Sequence, residues 1–297
     1  MINPKFSLRY FKFKKNNMPK NSILFNFGRD ALSTIAQFHE YKNLKIIAMP
    51  GFICDVVPHA FISNGWTIEY FYPKNILSVN LLDIEHLTRK KISLLLIPSY
   101  FGKNDDLSEI IDWATDNHIS IISDLAHSIF QSGRINNKKN PDYTIYSLRK
   151  YAPHCLSIMI LRNDEEYSLI KKTIEKKINF KFIIKKIITK HMDYQRILTQ
   201  REKNINEFIA QSTNFNIELL GKDIQSYTMA IPILLEENIE GKDEIILKKY
   251  GYFWPKYVAN NLKPTQLFGK EVYMFPIHQS IKNSDIAMIL KVIRSKM

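Results

Sequence analysis

The chain has 297 residues, of which 45% are hydrophobic and 12% aromatic, so it can fold throughout and is not an intrinsically disordered protein. Its 42 lysines and arginines outnumber 29 aspartates and glutamates, and the net charge of +13 favours anionic ligands such as nucleotides, phosphates or acidic membrane surfaces. A composition rich in Lys, Ile and Asn produces the same excess of positive charge without any function. The two cysteines, Cys54 and Cys155, are too few for a disulfide framework and lack metal-ligand spacing, which excludes zinc and iron–sulfur sites.

The first 20 or so residues form a basic segment without the uninterrupted apolar stretch of a signal peptide. No apolar run of about 18 residues occurs further along, so the sequence predicts no transmembrane segment and a cytoplasmic protein. Zinc-finger, RNP and KH-type motifs are also missing from the sequence, which argues against nucleic acid as a partner.

Short apolar runs alternate with amphipathic segments from about residue 22 to 162. We predict buried strands in SILFNF, LKIIAMP, TIEYFYP, SLLLIPSYF, ISIISD, YTIYS and LSIMILR, and helices in ALSTIAQFHEY, CDVVPHAFISNG and DLSEIIDWATDNH. Strands and helices in alternation are typical of an α/β fold with a mostly parallel central sheet that helices cover on both faces. We assign this pattern to a large α/β domain over residues 1–170.

The pattern changes in the second half of the chain. Residues 171–212 form a long basic helical segment, predicted as one long helix or two consecutive ones because Gly and Pro are missing. Its lysine-rich stripe is interpreted as a solvated face, with an anionic ligand or a membrane as the alternative. Residues 213–297 are predicted to form a smaller C-terminal α+β domain with strands in MAIPILL and VYMFPIH and a final helix in DIAMILKVIRSK.

Residues able to do chemistry follow four of the predicted strands. They are Gly28 in FGRDAL, Gly102 in SYFG, Asp124 in SDLAH, and Ser147 and Lys150 in SLRK. Ligands of open α/β sheets bind at the carboxyl ends of the strands, where these residues lie. A glycine before a helix can admit a phosphate to the backbone amides, and a carboxylate at a buried strand end needs a partner.

Pyridoxal 5'-phosphate (PLP) would use all of these groups. It needs a lysine for covalent attachment, a carboxylate at its ring nitrogen, and hydroxyls or amides for its phosphate. Simpler interpretations remain open: Gly28 as a turn glycine or as the phosphate loop of another anion-binding protein, Asp124 as a helix cap, Lys150 as a surface lysine, and His127 as a structural histidine.

The sequence also resembles a known family. GRDAL, MPGFICDVVPHAFISNGWTIEYFY, PSYFGKNDDLSEIIDWATDNHISIISDLAHS, DYTIYSLRK and YMFPIHQ follow one another as in the DegT/DnrJ/StrS family of PLP-dependent sugar aminotransferases, of fold type I. The resemblance covers about residues 22–162 and, more faintly, 240–295. It implies a homodimer that transfers an amino group from glutamate or a similar amino-acid donor to a keto group of a nucleotide-sugar substrate, in glycan biosynthesis.

The resemblance also implies roles for individual residues. Asp124 would pair with the pyridine nitrogen, Lys150 would form the internal aldimine and move protons, and His127 would contact the phenolic oxygen or the ring face. The remaining residues expected to bind the cofactor are Gly28, Arg29 and Asp30 of the GRDAL motif, with Arg29 supplying charge to the phosphate, Ser147 as a further phosphate ligand, and Phe52 or Cys54 stacked on the ring.

Several features depart from the usual family pattern. Lys150 follows Ser147 by three residues instead of five, and YAPHCLSI replaces the usual glycine pair, although RKYAP resembles an Arg-Lys-x-x-Pro form found in some relatives. The asparagine-tyrosine-arginine motif that crosses to the partner subunit is absent, and INFKF near residue 178 is a loose echo of it. Two alternatives therefore stay open: a catalytically degenerate binding or assembly protein and, with His154 nearby, a PLP-dependent sugar dehydratase.

Overall fold

The computed structural model describes residues 10, 11, 15, 17–40, 44–75, 77–102, 106–128, 140–175, 179–213, 217–220, 228–236, 240–254 and 270–295. The predicted basic N-terminal segment lies largely outside these ranges. Among the helices described, none is long and apolar enough to cross a membrane.

A seven-stranded sheet dominates the first half of the chain. Its spatial order is β1-β7-β6-β5-β4-β2-β3, and among the strands described only β7 runs antiparallel to its neighbours. The mostly parallel sheet predicted from the sequence is therefore confirmed. The strands are β1 (Ser22–Phe25), β2 (Ile46–Pro50), β3 (Thr67–Phe71), β4 (Leu94–Pro98), β5 (Ser120–Leu125), β6 (Tyr143–Ser147) and β7 (Ser157–Leu161).

Helices cover both faces of this sheet. Alternate residues of β4 show this directly, because Leu94 and Leu96 pack in one core cluster with α1 and α2, while Leu95 and Ile97 pack in another with α3 and α4. Burial on both faces explains why the strands read as continuous apolar runs. The helices are α1 (Gly28–Phe38), α2 (Val56–Ile62), α3 (Leu81–Ile84) and α4 (Ser108–Asp116).

The basic helical segment contains three helices, α5 (Asp164–Glu175), α6 (Phe180–His191) and α7 (Tyr194–Ser212). The prediction of one or two helices was wrong because two side chains start new helices without any Gly or Pro. Asn179 Oδ1 accepts the Phe182 N–H at 2.9 Å, and Asp193 Oδ1 accepts the Arg196 N–H at 3.1 Å. Such N-caps satisfy the first amides of a helix and fix its start.

The exposed surface of α6 is largely apolar. Among the lysines of the segment, Lys171 and Lys172 on α5 and Lys181 on α6 are exposed, as expected for a solvated face, while Lys185 and Lys186 are half-buried. Besides Lys181, the helix presents four large exposed apolar side chains at successive turns, here called the α6 stripe: Phe180, Ile183, Ile184 and Ile187.

A second sheet lies in the C-terminal part of the chain. It has three antiparallel strands in the order β8-β10-β9, formed by β8 (Ala230–Leu235), β9 (Tyr252–Trp254) and β10 (Glu271–Pro276). Helices α7, α8 (Lys242–Tyr250) and α9 (Asn283–Arg294) share its core, where the Phe208 and Phe275 rings lie 4.6 Å apart. The division of the chain at residues 170 and 212 remains a prediction.

Candidate active site

Asp124 and Lys150 lie at the carboxyl ends of two neighbouring parallel strands. Asp124 is the fifth residue of β5, and Lys150 ends the short 3-10 turn Leu148–Lys150 that follows β6. Strands β5 and β6 pair in parallel, with Asp124 opposite Ile145. The fold therefore brings a carboxyl group and an amine to the same edge of the sheet.

The two groups are close enough to influence each other's charge. Burial lowers the pKa of the Lys150 amine, Asp124 and Cys54 oppose this shift, and the positive charge of Arg149 adds to it. Burial raises the pKa of the Asp124 carboxyl, against the charge of Lys150 and a hydrogen bond from the Ala126 N–H to Oδ1 at 2.9 Å. Both side chains are half-buried, so protein dehydrates them while one side stays open to solvent. None of the ion pairs between described residues involves either group.

Residues after β2 and β4 form one wall of the site. Phe52 is 3% exposed, its ring lies 5.7 Å from that of Tyr100, and its carbonyl accepts the Tyr100 hydroxyl. Cys54 is exposed, and the charge of Lys150 counteracts the rise that burial causes in the pKa of its thiol. Of the two candidates for the ring-stacking position, Cys54 is thus the one that is coupled to Lys150, while Phe52 lies in the core.

His127 lies in the turn after β5. Its Nδ1 accepts a long hydrogen bond of 3.4 Å from the Phe101 N–H, and the two rings are 5.8 Å apart. Burial, and then the charge of Lys150, keeps the pKa of His127 well below its usual value, so the imidazole is neutral at neutral pH. Phe101 and Gly102 have φ of +52° and +77°; this left-handed conformation costs a residue such as Phe101 of the order of 1 kcal/mol.

Gly28 is the first residue of α1, and its position does not require glycine for the backbone. Its φ is not positive, and an added Cβ would come no closer than 3.8 Å to Ile145. The preceding Phe27 makes no side-chain hydrogen bond to the first turn, whereas the Asp30 carboxylate accepts the Phe27 N–H at 3.1 Å. Asp30 therefore fixes the turn into α1. Ser147, 3% exposed, lies at the end of β6 opposite Ser157.

Two guanidinium groups share the ring of Phe27. The Cζ atom of Arg29 lies 4.4 Å from the ring centroid, and that of Arg149 lies 4.8 Å from it. Burial, and next the charge of Arg29, lowers the pKa of Arg149, while Asp30 opposes the shift. Both arginines are exposed, so an anion from solvent can reach two cations beside the start of α1.

Arg149 is a candidate site residue that the sequence did not single out. It precedes Lys150 directly, but its partners Phe27 and Arg29 are more than a hundred residues away in the chain. The available signal was the motif itself, because an arginine directly before the proposed cofactor lysine places a second charge at the same strand end. His154, in contrast, is exposed.

Comparison with known proteins identifies the class to which this architecture belongs. No protein-family model matches the sequence, and no curated protein matches it. Solved structures do match over almost the whole chain, and they show that the protein has the fold of PLP-dependent aminotransferases of fold type I.

Three of these structures illustrate the likeness. PseC of Helicobacter pylori, an aminotransferase involved in the biosynthesis of pseudoaminic acid, has a TM-score of 0.70 and 16% identity, with 92% of this chain and 87% of PseC covered. DesI, solved with its TDP-sugar product, has a TM-score of 0.72 and 9% identity, with 92% of this chain and 80% of DesI covered. A DegT DnrJ EryC1 StrS aminotransferase from Brucella abortus has a TM-score of 0.66 and 12% identity, with 92% of this chain and 85% of that protein covered. The resemblance seen in the sequence is confirmed at the level of the fold.

Proposed function

We propose that the chain is a PLP-dependent aminotransferase of the DegT/DnrJ/StrS type. The observation that carries this proposal is the pair formed by Asp124 and Lys150, a carboxyl and an amine at adjacent strand ends whose pKa values respond to each other. The sheet edge on which they lie is where α/β folds bind ligands. We further propose a nucleotide-linked keto-sugar as acceptor, glutamate as donor, a role in glycan biosynthesis and a cytoplasmic location.

The residues present fit the cofactor. Lys150 has an amine outside any described ion pair, and Asp124 accepts a hydrogen bond from a described residue only on Oδ1, which leaves Oδ2 for the ring N–H. Arg29 and Arg149, beside the start of α1, would hold the phosphate, because an uncapped helix start and two guanidinium groups all favour a dianion. When bound, PLP would withdraw electrons from the substrate carbon that bears the amino group.

The protein's own groups would then manage protons. The lowered pKa of Lys150 increases the fraction of neutral amine at neutral pH, and only the neutral amine can accept a proton or attack a carbonyl carbon. Asp124 would supply a negative charge at the ring nitrogen. Since His127 Nδ1 accepts the Phe101 N–H, the neutral imidazole carries its proton on Nε2, from which it would donate to the cofactor oxygen.

We also propose that the protein is a homodimer in which a second copy covers the α6 stripe. Helix α6 borders the candidate site, because Lys185 Nζ donates to Asn26 Oδ1 at 3.1 Å just before α1 begins. The stripe starts at Phe180 in INFKF, a loose echo of the family motif that crosses to the partner subunit. Contiguous apolar side chains left open on a helix favour protein association.

Trapping of the cofactor tests the proposal. The protein is incubated with PLP, reduced with borohydride and digested, and the labelled peptide is identified by mass spectrometry. We expect the label on Lys150 and its loss in Lys150→Ala, whereas Lys90→Ala, which removes a lysine ion-paired with Glu69 at 3.1 Å, keeps it. A wild type without label at Lys150 refutes the cofactor assignment. Label without amino transfer from glutamate to any nucleotide-linked keto-sugar refutes the reaction and favours the degenerate or dehydratase alternatives.

A further inference from the structure

Tyr151, the residue after Lys150, connects the two strand ends of the candidate site. Its side chain is fully buried, and its hydroxyl donates to the His127 carbonyl oxygen at 2.5 Å. That carbonyl belongs to the turn after β5, in which the Ala126 N–H also donates to Asp124. One side chain thus ties the segment that carries Lys150 to the segment that carries Asp124 and His127.

The other side of Tyr151 is held by the C-terminal half of the chain. Gln279 Nε2 donates to the Tyr151 carbonyl oxygen at 2.6 Å. The guanidinium of Arg201 lies over the Tyr151 ring, with Cζ 4.5 Å from the centroid, and its Nη1 donates to the carbonyls of Thr228 and Met229 at 3.1 and 3.3 Å. Tyr151 is therefore fixed at its backbone, its ring and its hydroxyl.

Arg201 is an unusual partner for a ring in the core. It is 1% exposed, none of the ion pairs between described residues includes it, and its Nε has no hydrogen-bond acceptor among them. Burial lowers the pKa of Arg201 to about 10, so it is still a cation at neutral pH. A buried cation needs compensation, and the face of the Tyr151 ring and two carbonyls supply it. The contact consequently resists displacement of Tyr151.

We propose that Tyr151 is a positioning residue that sets the placement of the Lys150 amine relative to Asp124 and His127. The chain has no glycine between Lys150 and Gly221, so this segment cannot rely on glycine turns for its course, and the contacts of Tyr151 determine it. The purpose of this placement, which is to hold the lysine at a fixed position for the cofactor, rests on the proposed function. The placement itself is a property of the protein without cofactor.

The test compares Tyr151→Phe with Tyr273→Phe. Both substitutions remove a buried hydroxyl that donates to a backbone carbonyl, since the hydroxyl of Tyr273 on β10 donates to the carbonyl of Leu247 on α8 at 2.9 Å. Tyr151→Phe keeps the ring under Arg201. The two variants therefore lose a similar hydrogen bond. A change in the Lys150 pKa that occurs in Tyr151→Phe alone then reports a change in the position of the Lys150 amine.

The first readout needs no cofactor. The rate of reductive methylation of Lys150 is followed by mass spectrometry as a function of pH, which gives the pKa of its amine. The groups that act on this amine, Asp124, Cys54, Arg149 and His127, are the same in every variant. We expect an upward shift of the Lys150 pKa in Tyr151→Phe, because a loosened amine gains water, and no shift in Tyr273→Phe.

The second readout is the affinity for PLP, from titration of the visible band of the lysine-bound cofactor. We expect about tenfold weaker binding in Tyr151→Phe, the size expected for one lost hydrogen bond, with the label still on Lys150. If Tyr151→Phe fails to fold, Gln279→Leu, which removes the donor to the Tyr151 carbonyl, is expected to shift the Lys150 pKa in the same direction.

The two proposals fail separately. Absence of cofactor label on wild-type Lys150 refutes the proposed function. The pH profile of Lys150 methylation still tests whether Tyr151 positions the amine. A Lys150 pKa in Tyr151→Phe equal to that of Tyr273→Phe overturns the positioning role, whatever the cofactor does.

Discussion

Replacing two residues of the α6 stripe by glutamate is expected to dissociate the proposed homodimer. Phe180, Ile183, Ile184 and Ile187 are 76%, 45%, 43% and 51% exposed. Complete burial of such a side chain contributes about 1.5–3 kcal/mol. Burying the part of each side chain that is still exposed would therefore contribute about 1 kcal/mol, or about 4 kcal/mol per protomer. In a symmetric dimer that buries the stripe of both copies, this doubles to about 8 kcal/mol.

The double variant Ile183→Glu/Ile187→Glu removes half of this contribution, about 4 kcal/mol, which weakens association about a thousandfold before the cost of burying carboxylates is added. Sedimentation equilibrium over a range of concentrations measures the dissociation constant. The control Leu82→Glu/Ile245→Glu makes the same charge change at side chains that are 71% and 68% exposed on other helices, and it should remain dimeric. An unchanged dissociation constant in the stripe variant would refute the assignment of this face.

Two further predictions concern charge. Arg149→Gln should weaken PLP binding about tenfold but leave the affinity for pyridoxal, which lacks the phosphate, unchanged; equal losses for both ligands in spectral titrations would show that Arg149 does not hold the phosphate. Burial lowers the pKa of His39 to about 4, below its ordinary value of about 6.5 in the unfolded chain. The unfolded state therefore binds more protons between these values, and the free energy of unfolding should fall by up to about 3 kcal/mol as pH drops through this window. Urea unfolding at about pH 4.5 and 7.5 should show a smaller drop in His39→Gln, and an identical drop would contradict the linkage.

The sheet could be predicted from the sequence because strands buried on both faces leave a strong local signal. The seven apolar runs that predict strands all contain one. Strand order had no such signal, since β1 pairs with β7 and its partners Ser22 and Ile160 are far apart in the chain. The start of α7 was missed because Asp193 interrupts a helix-favouring sequence with a single side-chain hydrogen bond.

The candidate site was predictable to the extent that it follows strand ends. Asp124 and Lys150 could be paired because both lie at the carboxyl ends of predicted strands. Arg149 and Tyr151 escaped this reasoning because their importance lies in contacts with Phe27 and Arg201, which are distant in sequence. The positions of residues relative to predicted strands identify which of them lie at one edge of the sheet. They do not show which cations contact the same aromatic ring, as Arg29 and Arg149 do at Phe27.

The accessibility of Cys54 has a practical consequence. The chain contains two cysteines, and they differ sharply: Cys155 is 1% exposed, and burial raises the pKa of its thiol to about 11. Cys54 is open to solvent, and although partial burial also raises the pKa of its thiol, the charge of Lys150 opposes that rise. The unaltered protein thus offers one solvent-accessible attachment point for a thiol-directed fluorophore or an electrophilic inhibitor, close enough to the Lys150 amine for its charge to act on the thiol.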